Sequence, residues 1–290
     1  MPWRLPDNKT TVFTTDEPMM LTFNVDDLST NGLIHPFKDD MVKPTIGATH
    51  MVKDVNSDDT IGLLTEMPVG ITGVSYIATF YRIQAADVNK RVRIGSIKTD
   101  KMSYYHTFGH TDKYLLFPDF PVNFNMERLI AGDPMESNFI NDTTKNIKFH
   151  VMDISDGTFK TFEADHYGFI MHTGNTYMDG DSMIVDFEMY VEAPVQPFSS
   201  LDFDYVNNPN RKGLAMGSRF RRYNINIKTG VISHTDTLSY EQDNAGFPII
   251  NPNWQAKKNC YSYISELQNQ AKFNAVVKVD HCNPSKTTRW

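Results

Sequence analysis

Three histidines occur in matching sequence contexts, and imidazole is a side chain that binds transition metals. They are His50, His106 and His172, and each precedes a polar turn and then an apolar run. The first two lie 56 residues apart and the last two lie 66 apart, so the context recurs at a similar interval. Several neutral imidazoles without a thiolate suit Fe, Zn, Cu or Ni. The alternative for each ring is an ordinary strand-end histidine bonded to a backbone carbonyl.

The stretch around His106 shows this context in its clearest form. Tyr104 and Tyr105 favour extended chain, Gly109–Lys113 a tight polar turn, and Tyr114–Phe117 a buried strand. His106 is therefore predicted at the end of a strand. Rigid scaffolds commonly place functional groups at such positions.

Short β-like runs separated by turn signals make up most of the chain, which predicts an all-β fold. Helical periodicity is nearly absent, and Met126–Ile130 is the best short helical candidate. A chain of 290 residues with many short strands favours a β-propeller, whose blades take about 40–50 residues each. Equivalent points on successive blades converge on the axis, so the three imidazoles would meet there. No linker-like segment is visible, and we expect one domain over 1–290. The predicted strands are Thr11–Thr14, Met19–Asn24, Thr60–Thr65, Gly73–Ile83, Val92–Ile97, Tyr114–Phe117, Ile147–Met152, Phe159–Glu163, Ser182–Tyr190, Arg219–Ile227, Val231–Thr237, Cys260–Ile264 and Phe273–Val279.

Composition and charge exclude several classes of protein. Hydrophobic residues make up 40% of the chain, which supports a substantial core. The net charge of −7 gives no electrostatic footprint for nucleic acid, and we expect no nucleic-acid partner. The chain contains no dinucleotide-binding, P-loop, nucleophile-elbow or HExxH motif.

The cysteines and the N-terminus bear on the compartment. Two cysteines, Cys260 and Cys282, are too few for a disulfide framework, and we expect buried thiols in a reducing compartment. A structural disulfide is the alternative. The N-terminus lacks a signal-peptide layout, and no apolar window is long enough to span a bilayer. These features favour a cytoplasmic location.

The remaining histidines favour structural roles. They are His35, His110, His150, His166, His234 and His281. His281 lies beside Cys282, but no second Cys/His pair completes a metal site.

Three stretches resemble the carotenoid cleavage oxygenase family, which includes the animal carotene oxygenases and the retinal-pigment-epithelium isomerase. SYYHTFGHTDKYLLF carries His106, and GATHMVKD is similar to the family's first histidine segment, with Met51 where proline is usual. FIMHTGNTYMDGDSMIVDFEMY is similar to the third, where His172, Asn175 and Asp186 fit the pattern. SRFRRYNINI and GFPIIN extend the resemblance in consistent order.

The resemblance implies a seven-bladed β-propeller, here incomplete, with one non-haem Fe(II) per subunit held by four histidines. His50, His106 and His172 would be three ligands, and the fourth would lie beyond Trp290. The family cleaves a polyene double bond of a carotenoid or apocarotenoid with O2 to give aldehydes or ketones. One branch isomerises a retinyl ester. The family chain is longer at both ends, which makes this sequence a fragment lacking N- and C-terminal parts.

The resemblance also implies carboxylates that orient the imidazoles. Asp16 or Glu17 would serve one ring. A second glutamate is expected immediately before Phe247, where this chain has Gly246.

Three functions remain open. The first is an Fe(II)-dependent dioxygenase with an apolar tunnel, for which Phe108, Phe169 and Tyr177 are candidate lining residues, although core packing is favoured for each. The second is a non-catalytic carotenoid- or lipid-binding relative or inactive fragment, which Gly246 and the missing fourth histidine favour. The third is a retinoid isomerase that uses the same iron. Peripheral membrane contact through Leu129-Ile130-Ala131 is the expected membrane interaction, with a solvated loop as its alternative.

Overall fold

The computed structural model describes residues 1–42, 44–71, 73–125, 128, 131–133, 138–190, 218–239, 244–268 and 272–290. These residues form strands β1 to β25 and two 3₁₀ turns, Pro252–Trp254 and Pro284–Lys286. The predicted all-β fold class is confirmed. The chain divides into two compact units. The first contains Met1–Phe108, Asp112–Leu116 and Val151–Lys160, and the second contains Gly109–Thr111, Phe117–His150 and Thr161–Trp290.

The first unit contains two antiparallel sheets and a small ribbon. One sheet has the strand order β1-β2-β3-β4, and the other has the order β11-β10-β7-β5 with β6 beside β7. The ribbon pairs β8 with β9. The strands are β1 Pro2–Arg4, β2 Thr11–Thr14, β3 Met20–Phe23, β4 Thr30–Ile34, β5 Pro44–Gly47, β6 Val52–Lys53, β7 Thr60–Glu66, β8 Val69–Gly70, β9 Gly73–Val74, β10 Tyr76–Gln84 and β11 Asp87–Thr99.

A third sheet has the order β12-β13-β16-β17. Its strands are β12 Gly109–His110, β13 Tyr114–Asp119, β16 Lys148–Asp153 and β17 Phe159–Glu163. The predicted strand after His106 is therefore present as β13. In the chain segment that connects β13 to β16, β14 Val122–Phe124 pairs with β15 Phe139–Asn141 as a two-stranded ribbon.

Two further four-stranded antiparallel sheets lie in the second unit, with the orders β18-β19-β20-β21 and β22-β23-β24-β25. A two-residue turn with Gly180 at φ +62° joins β18 to β19, a backbone conformation that glycine adopts without strain. The strands are β18 Phe169–Asp179, β19 Ser182–Tyr190, β20 Ser218–Asn226, β21 Ile232–Ser239, β22 Asn244–Ile249, β23 Tyr261–Gln268, β24 Lys272–Asp280 and β25 Thr288–Arg289.

Each unit buries its own apolar side chains between strands. In the first unit a cluster that includes Val12, Leu64 and Tyr81 is buried, and in the second Phe220 packs with Ile264 and Val277. Strand β19 is buried along nearly its whole length, as expected of a strand covered on both faces. Small antiparallel sheets whose strands neighbour one another in chain order are the blades of a propeller. The prediction of an incomplete propeller is confirmed, and the assignment of 1–290 to one domain stays a prediction.

Several sequence expectations need correction or fall outside the described part. Most of the strands that were not predicted have only two to five residues, too few to show apolar periodicity: β1, β4, β5, β6, β8, β12, β14, β15 and β25. The longer strands β18 and β22 were also not predicted. Most of the helical candidate Met126–Ile130 and the membrane contact at Leu129-Ile130-Ala131 lie outside the described residues. Among the described residues, no helix is long and apolar enough to cross a membrane.

The expectation of two buried thiols is wrong, because Cys260 and Cys282 form a disulfide with a Cα–Cα distance of 5.1 Å. Cys260 immediately precedes β23 and Cys282 follows β24, so pairing of these adjacent strands brings the two residues together. Register cannot be read from two isolated cysteines in a sequence, which is why composition favoured thiols. The disulfide removes the thiol-based argument for a reducing compartment.

The disulfide should stabilise the last sheet by restricting the unfolded chain. It closes a loop of 22 residues, for which chain entropy predicts about 3 kcal/mol. We expect dithiothreitol to lower the free energy of unfolding in urea by about that amount. The double variant Cys260→Ser/Cys282→Ser should be insensitive to the reductant. Equal stability of the oxidised and reduced wild-type protein would contradict a stabilising role.

His281 is structural, and its side chain is only 1% exposed. Its Nε2 lies 2.9 Å from the Ser262 hydroxyl, and burial lowers the pKa of His281 to about 4. Because this folded-state pKa lies below the unfolded value of about 6.5, the unfolded chain binds the proton first as pH falls. Its contribution to stability is therefore intact above about pH 6.5. It is lost progressively toward pH 4, by up to about 3 kcal/mol.

Substituting His281 should flatten this part of the pH–stability profile. We expect His281→Gln to lose less stability than the wild-type protein between pH 7 and pH 4.5 in urea titrations. His35→Gln serves as a control, because it removes a different buried histidine. The same slope in wild type and His281→Gln would show that other groups cause the acid sensitivity.

Candidate metal centre

His50 and His106 lie together in the first unit. His50 follows β5 in the loop that leads to β6, and His106 lies in the loop between β11 and β12. The His50 backbone N–H donates to the His106 carbonyl at 3.3 Å, which fixes the two loops together. The two Nε2 atoms are 3.1 Å apart, and the rings meet edge to face.

The other nitrogen of His106 faces a carboxylate. Nδ1 of His106 lies 2.6 Å from Oδ1 of Asp16, a residue in the turn between β2 and β3. The Gly47 backbone N–H donates to the Asp16 carbonyl at 2.8 Å, and so ties this turn to the end of β5. An ionised carboxylate only accepts hydrogen bonds, so it selects the His106 tautomer with the proton on Nδ1. Nε2 then carries a lone pair directed at His50.

Asp16 is itself held by two hydroxyl groups. The Tyr104 hydroxyl donates to Oδ2 of Asp16 at 2.9 Å, and the Thr49 hydroxyl donates to Oδ1. Burial raises the pKa of Asp16, but the hydrogen bonds from His106, Thr49 and Tyr104 outweigh it, and the pKa is lowered overall. Burial, reinforced by the Asp16 charge, raises the pKa of Tyr104 well above its usual value. The phenol therefore stays protonated and serves as a donor.

The 3.1 Å separation of the two Nε2 atoms has a chemical consequence. At that distance either one ring donates its Nε2–H to the other nitrogen, or both lone pairs face a metal ion between them. Two imidazole nitrogens bound to one metal ion at about 2.1 Å and at right angles would be about 3 Å apart. The geometry of this pair therefore fits adjacent ligands of one metal ion.

His172 belongs to the second unit and lies inside β18, which leads into the turn at Gly180 and the apolar strand β19, as the sequence suggested. The pairing of β18 with β19 shifts register between Ile170 and Thr173, so the bulge falls at His172. Bulges re-aim side chains at functional sites. Nδ1 of His172 lies 2.5 Å from Oε2 of Glu188 on β19, which places the ring proton on Nδ1 and leaves the lone pair on Nε2.

Three other residues singled out in the sequence are Glu17, Asp186 and Asn175. Glu17 is exposed, and its backbone N–H donates to the Thr15 hydroxyl. Buried Asp186 accepts two hydrogen bonds from Arg222, at 2.7 and 2.8 Å. The Asn175 amide donates to the carbonyl of Lys257 at 2.9 Å, which ties β18 to the loop before β23.

The aromatic residues proposed to line a tunnel are buried in packed surroundings. Phe108 packs on Phe80 with ring centroids 5.5 Å apart, and Phe169 packs on Phe120 at 4.9 Å. Tyr177 is 4% exposed and lies near the Arg222 guanidinium. These contacts are those of core side chains.

Sequence reasoning missed Thr49, Tyr104 and Glu188 as partners of the histidines. Glu188 carried a usable signal, because it is a charged residue in the apolar run Met183–Tyr190, which is buried throughout. A buried carboxylate requires a partner. The roles of Thr49 and Tyr104 depend on tertiary contacts with Asp16, which sequence spacing does not reveal.

A second cluster with potential ligands consists of Asp165, His166 and His234, whose donor atoms lie within 4.8 Å of one another. The Arg221 guanidinium lies 3.2 Å from Nε2 of His166, and its charge also helps to lower the pKa of His234 after burial. A fixed cation at this distance opposes a metal ion. We therefore assign no metal to this cluster.

Comparison with known proteins places these features in a family. The model of the family described as retinal pigment epithelial membrane protein matches residues 6–290. The chain therefore belongs to that family, and the resemblance seen in the sequence is confirmed. A carotenoid 9,10(9′,10′)-cleavage dioxygenase of Crocus sativus is 28% identical over 184 residues, which cover 62% of this chain and 31% of that protein. A chloroplastic 9-cis-epoxycarotenoid dioxygenase of Oryza sativa subsp. japonica is 24% identical over 207 residues, which cover 70% and 29% of the two chains.

The structural comparison agrees. Cobalt-substituted apocarotenoid oxygenase of Synechocystis superposes with a TM-score of 0.77 at 15% identity, covering 100% of this chain and 58% of that one. The chain therefore has the fold of that protein. It spans about a third of the length of the curated relatives it matches.

Asp16 should stabilise the turn around His106 through its charge. Asp16→Asn keeps the size of the side chain but removes the charge that His106, Thr49 and Tyr104 stabilise, and we expect a loss of about 1.5–3 kcal/mol in urea unfolding. Glu17→Gln makes the same chemical change one residue away on an exposed side chain. This control should stay within about 0.5 kcal/mol of wild type. Equal effects of the two variants would contradict the assignment of Asp16.

Proposed function

We propose that this chain is part of an Fe(II)-dependent dioxygenase that cleaves a double bond of a carotenoid or apocarotenoid to carbonyl products. The proposed metal ligands are His50, His106 and His172, with one iron per subunit. The observation that carries the proposal is the His50–His106 pair, whose Nε2 atoms lie 3.1 Å apart while Asp16 fixes the tautomer of His106.

The donor set fits this metal. Neutral imidazoles without thiolate suit iron among other transition metals, and carboxylates at Nδ1 increase the basicity of the ligating nitrogen. Asp16 does this for His106 and Glu188 for His172. The names of the relatives, carotenoid dioxygenases and a cobalt-substituted oxygenase, support both the substrate class and the presence of a metal.

The residues of this chain would hold the metal in a fixed position. Bound Fe(II) would supply the binding and activation of O2 beside the polyene. Asp16, Tyr104 and Thr49 would keep the His106 ring from rotating, because three hydrogen bonds converge on one carboxylate. A rigid arrangement of this kind keeps a site close to its productive geometry.

Two other functions are compatible with the same scaffold. A binding-only relative would retain the pigment without cleaving it, and an isomerase would return a rearranged retinoid without consuming O2. The curated relatives are named as dioxygenases, which favours cleavage.

Metal loading tests the proposal first. The protein is reconstituted anaerobically with Fe(II), and bound iron is measured after desalting. We expect about one iron per chain, and we expect His106→Ala to weaken binding by more than about 100-fold, beyond the effect of losing an outer partner. His234→Ala removes an exposed histidine and should bind iron as wild type does. Unchanged loading in His106→Ala would refute the ligand assignment.

Turnover is tested on the iron-loaded protein with β-carotene or an apocarotenal under O2. Cleavage should give shorter aldehydes or ketones that chromatography resolves, together with consumption of O2. Bound but intact pigment would instead support the binding-only function. A retinoid isomer formed from a retinyl ester without O2 uptake would support the isomerase.

A further inference from the structure

Glu188 occupies an unusual position for a charged residue. It lies on β19 among buried apolar neighbours and is itself only 3% exposed. Its Oε2 is 2.5 Å from Nδ1 of His172, across the bulged pairing of β18 and β19. Because a buried charge without partners is strongly unfavourable, the groups around this carboxylate indicate its role.

Two further groups hold the Glu188 carboxylate in place. The Tyr190 hydroxyl donates to Oε1, and the Phe247 backbone N–H donates to Oε2 at 3.2 Å. Burial, reinforced by the charge of Glu188, raises the pKa of Tyr190 well above its usual value, which keeps the phenol a donor. Oε2 therefore accepts from the Phe247 N–H as well as from the imidazole, and Oε1 accepts from the Tyr190 hydroxyl.

Phe247 has a strained backbone at this point. Its φ is +52°, in the left-handed region that a bulky side chain seldom adopts. The register of β22 with β23 also shifts between Gly246 and Ile249. This local geometry accompanies the hydrogen bond from the Phe247 N–H to Glu188, and it places the Phe247 ring 5.0 Å from the His172 ring. Strain of this kind concentrates at functional sites.

We infer that Glu188 is the positioning residue for His172, supplying from β19 the carboxylate that the family resemblance led us to expect at Gly246. The inference rests on the proposed function, because His172 is a proposed ligand. Gly246 has no side chain to reach the imidazole, but the N–H of the next residue donates to the carboxylate that does. A carboxylate therefore lies beside His172 as expected, but it comes from Glu188 and not from position 246.

The carboxylate of Glu188 weakens the argument for a non-catalytic relative. Gly246 favoured a non-catalytic relative, since a lost outer carboxylate typically weakens metal affinity 10–100-fold. With Glu188 in place, the glycine removes nothing from the site. Tyr190 has the same role here as Tyr104 has in the first unit. Each phenol donates a hydrogen bond to the carboxylate that faces a histidine.

The first test uses the metal-free protein and so does not depend on iron. Long-range ¹H–¹⁵N NMR of selectively labelled histidine reports the tautomer of His172. We expect the Nδ1–H tautomer in wild type and in Tyr190→Phe, and a shift toward Nε2–H in Glu188→Ala. The same tautomer in wild type and Glu188→Ala would overturn the inference.

The second test measures Co(II) affinity from the visible absorption of the bound ion. We expect Glu188→Ala to weaken binding about 10–100-fold, with a smaller loss for Glu188→Gln, which keeps an acceptor. Glu163→Ala removes an exposed glutamate from β17 and serves as the matched control. Thermal unfolding of each variant verifies folding, and if Glu188→Ala does not fold, Glu188→Gln provides the comparison, with unchanged Co(II) affinity in that variant overturning the inference.

A rescue experiment separates positioning from general stability. Adding Gly246→Glu to Glu188→Ala returns a carboxylate to the position expected from the resemblance and should recover part of the Co(II) affinity. Wild-type affinity in a folded Glu188→Ala variant would overturn the inference. A wild-type protein that binds no Co(II) would refute the proposed metal centre instead, and the tautomer measurement would still decide the role of Glu188.

Discussion

The hydrogen bond between a carboxylate and the Nδ1 atom of a histidine is the interaction on which the proposed metal site depends. It occurs at Asp16 with His106 and at Glu188 with His172. An imidazole without such a partner can rotate and exchange tautomers, whereas one bonded at Nδ1 presents a lone pair at Nε2 in a fixed direction. A phenol donates to each carboxylate, and this second layer of contacts holds the charge in position.

The sheets provide the rigidity that these contacts require. Asp16 lies in a turn, and its backbone carbonyl accepts a hydrogen bond from the Gly47 N–H at the end of β5. His50 follows that strand. His172 and Glu188 lie on adjacent strands, so their approach is set by the register of β18 and β19 and by the bulge at His172. The pairing register of the strands therefore determines where these side chains lie. A change of one residue in that register would turn each side chain to the opposite face.

The sequence predicted the parts of the fold that depend on periodicity and turn chemistry. The all-β class and most strands followed from short apolar runs between turn residues, and the context around His106 correctly placed β13. The disulfide was missed because it depends on the pairing of β23 with β24. The choice between Asp16 and Glu17 was left open by sequence and depends on which side chain of the turn points inward. Glu188 was overlooked because it comes from a strand position that the family resemblance did not mark.

X-ray absorption spectroscopy of the anaerobic protein loaded with one equivalent of Fe(II) tests the central claim most directly, namely that carboxylate-anchored imidazoles of this chain hold a metal ion. We predict a first shell of nitrogen and oxygen without sulfur, together with outer-shell scattering from at least three imidazole rings. Scattering from two or fewer imidazoles, or a sulfur ligand, would contradict the account.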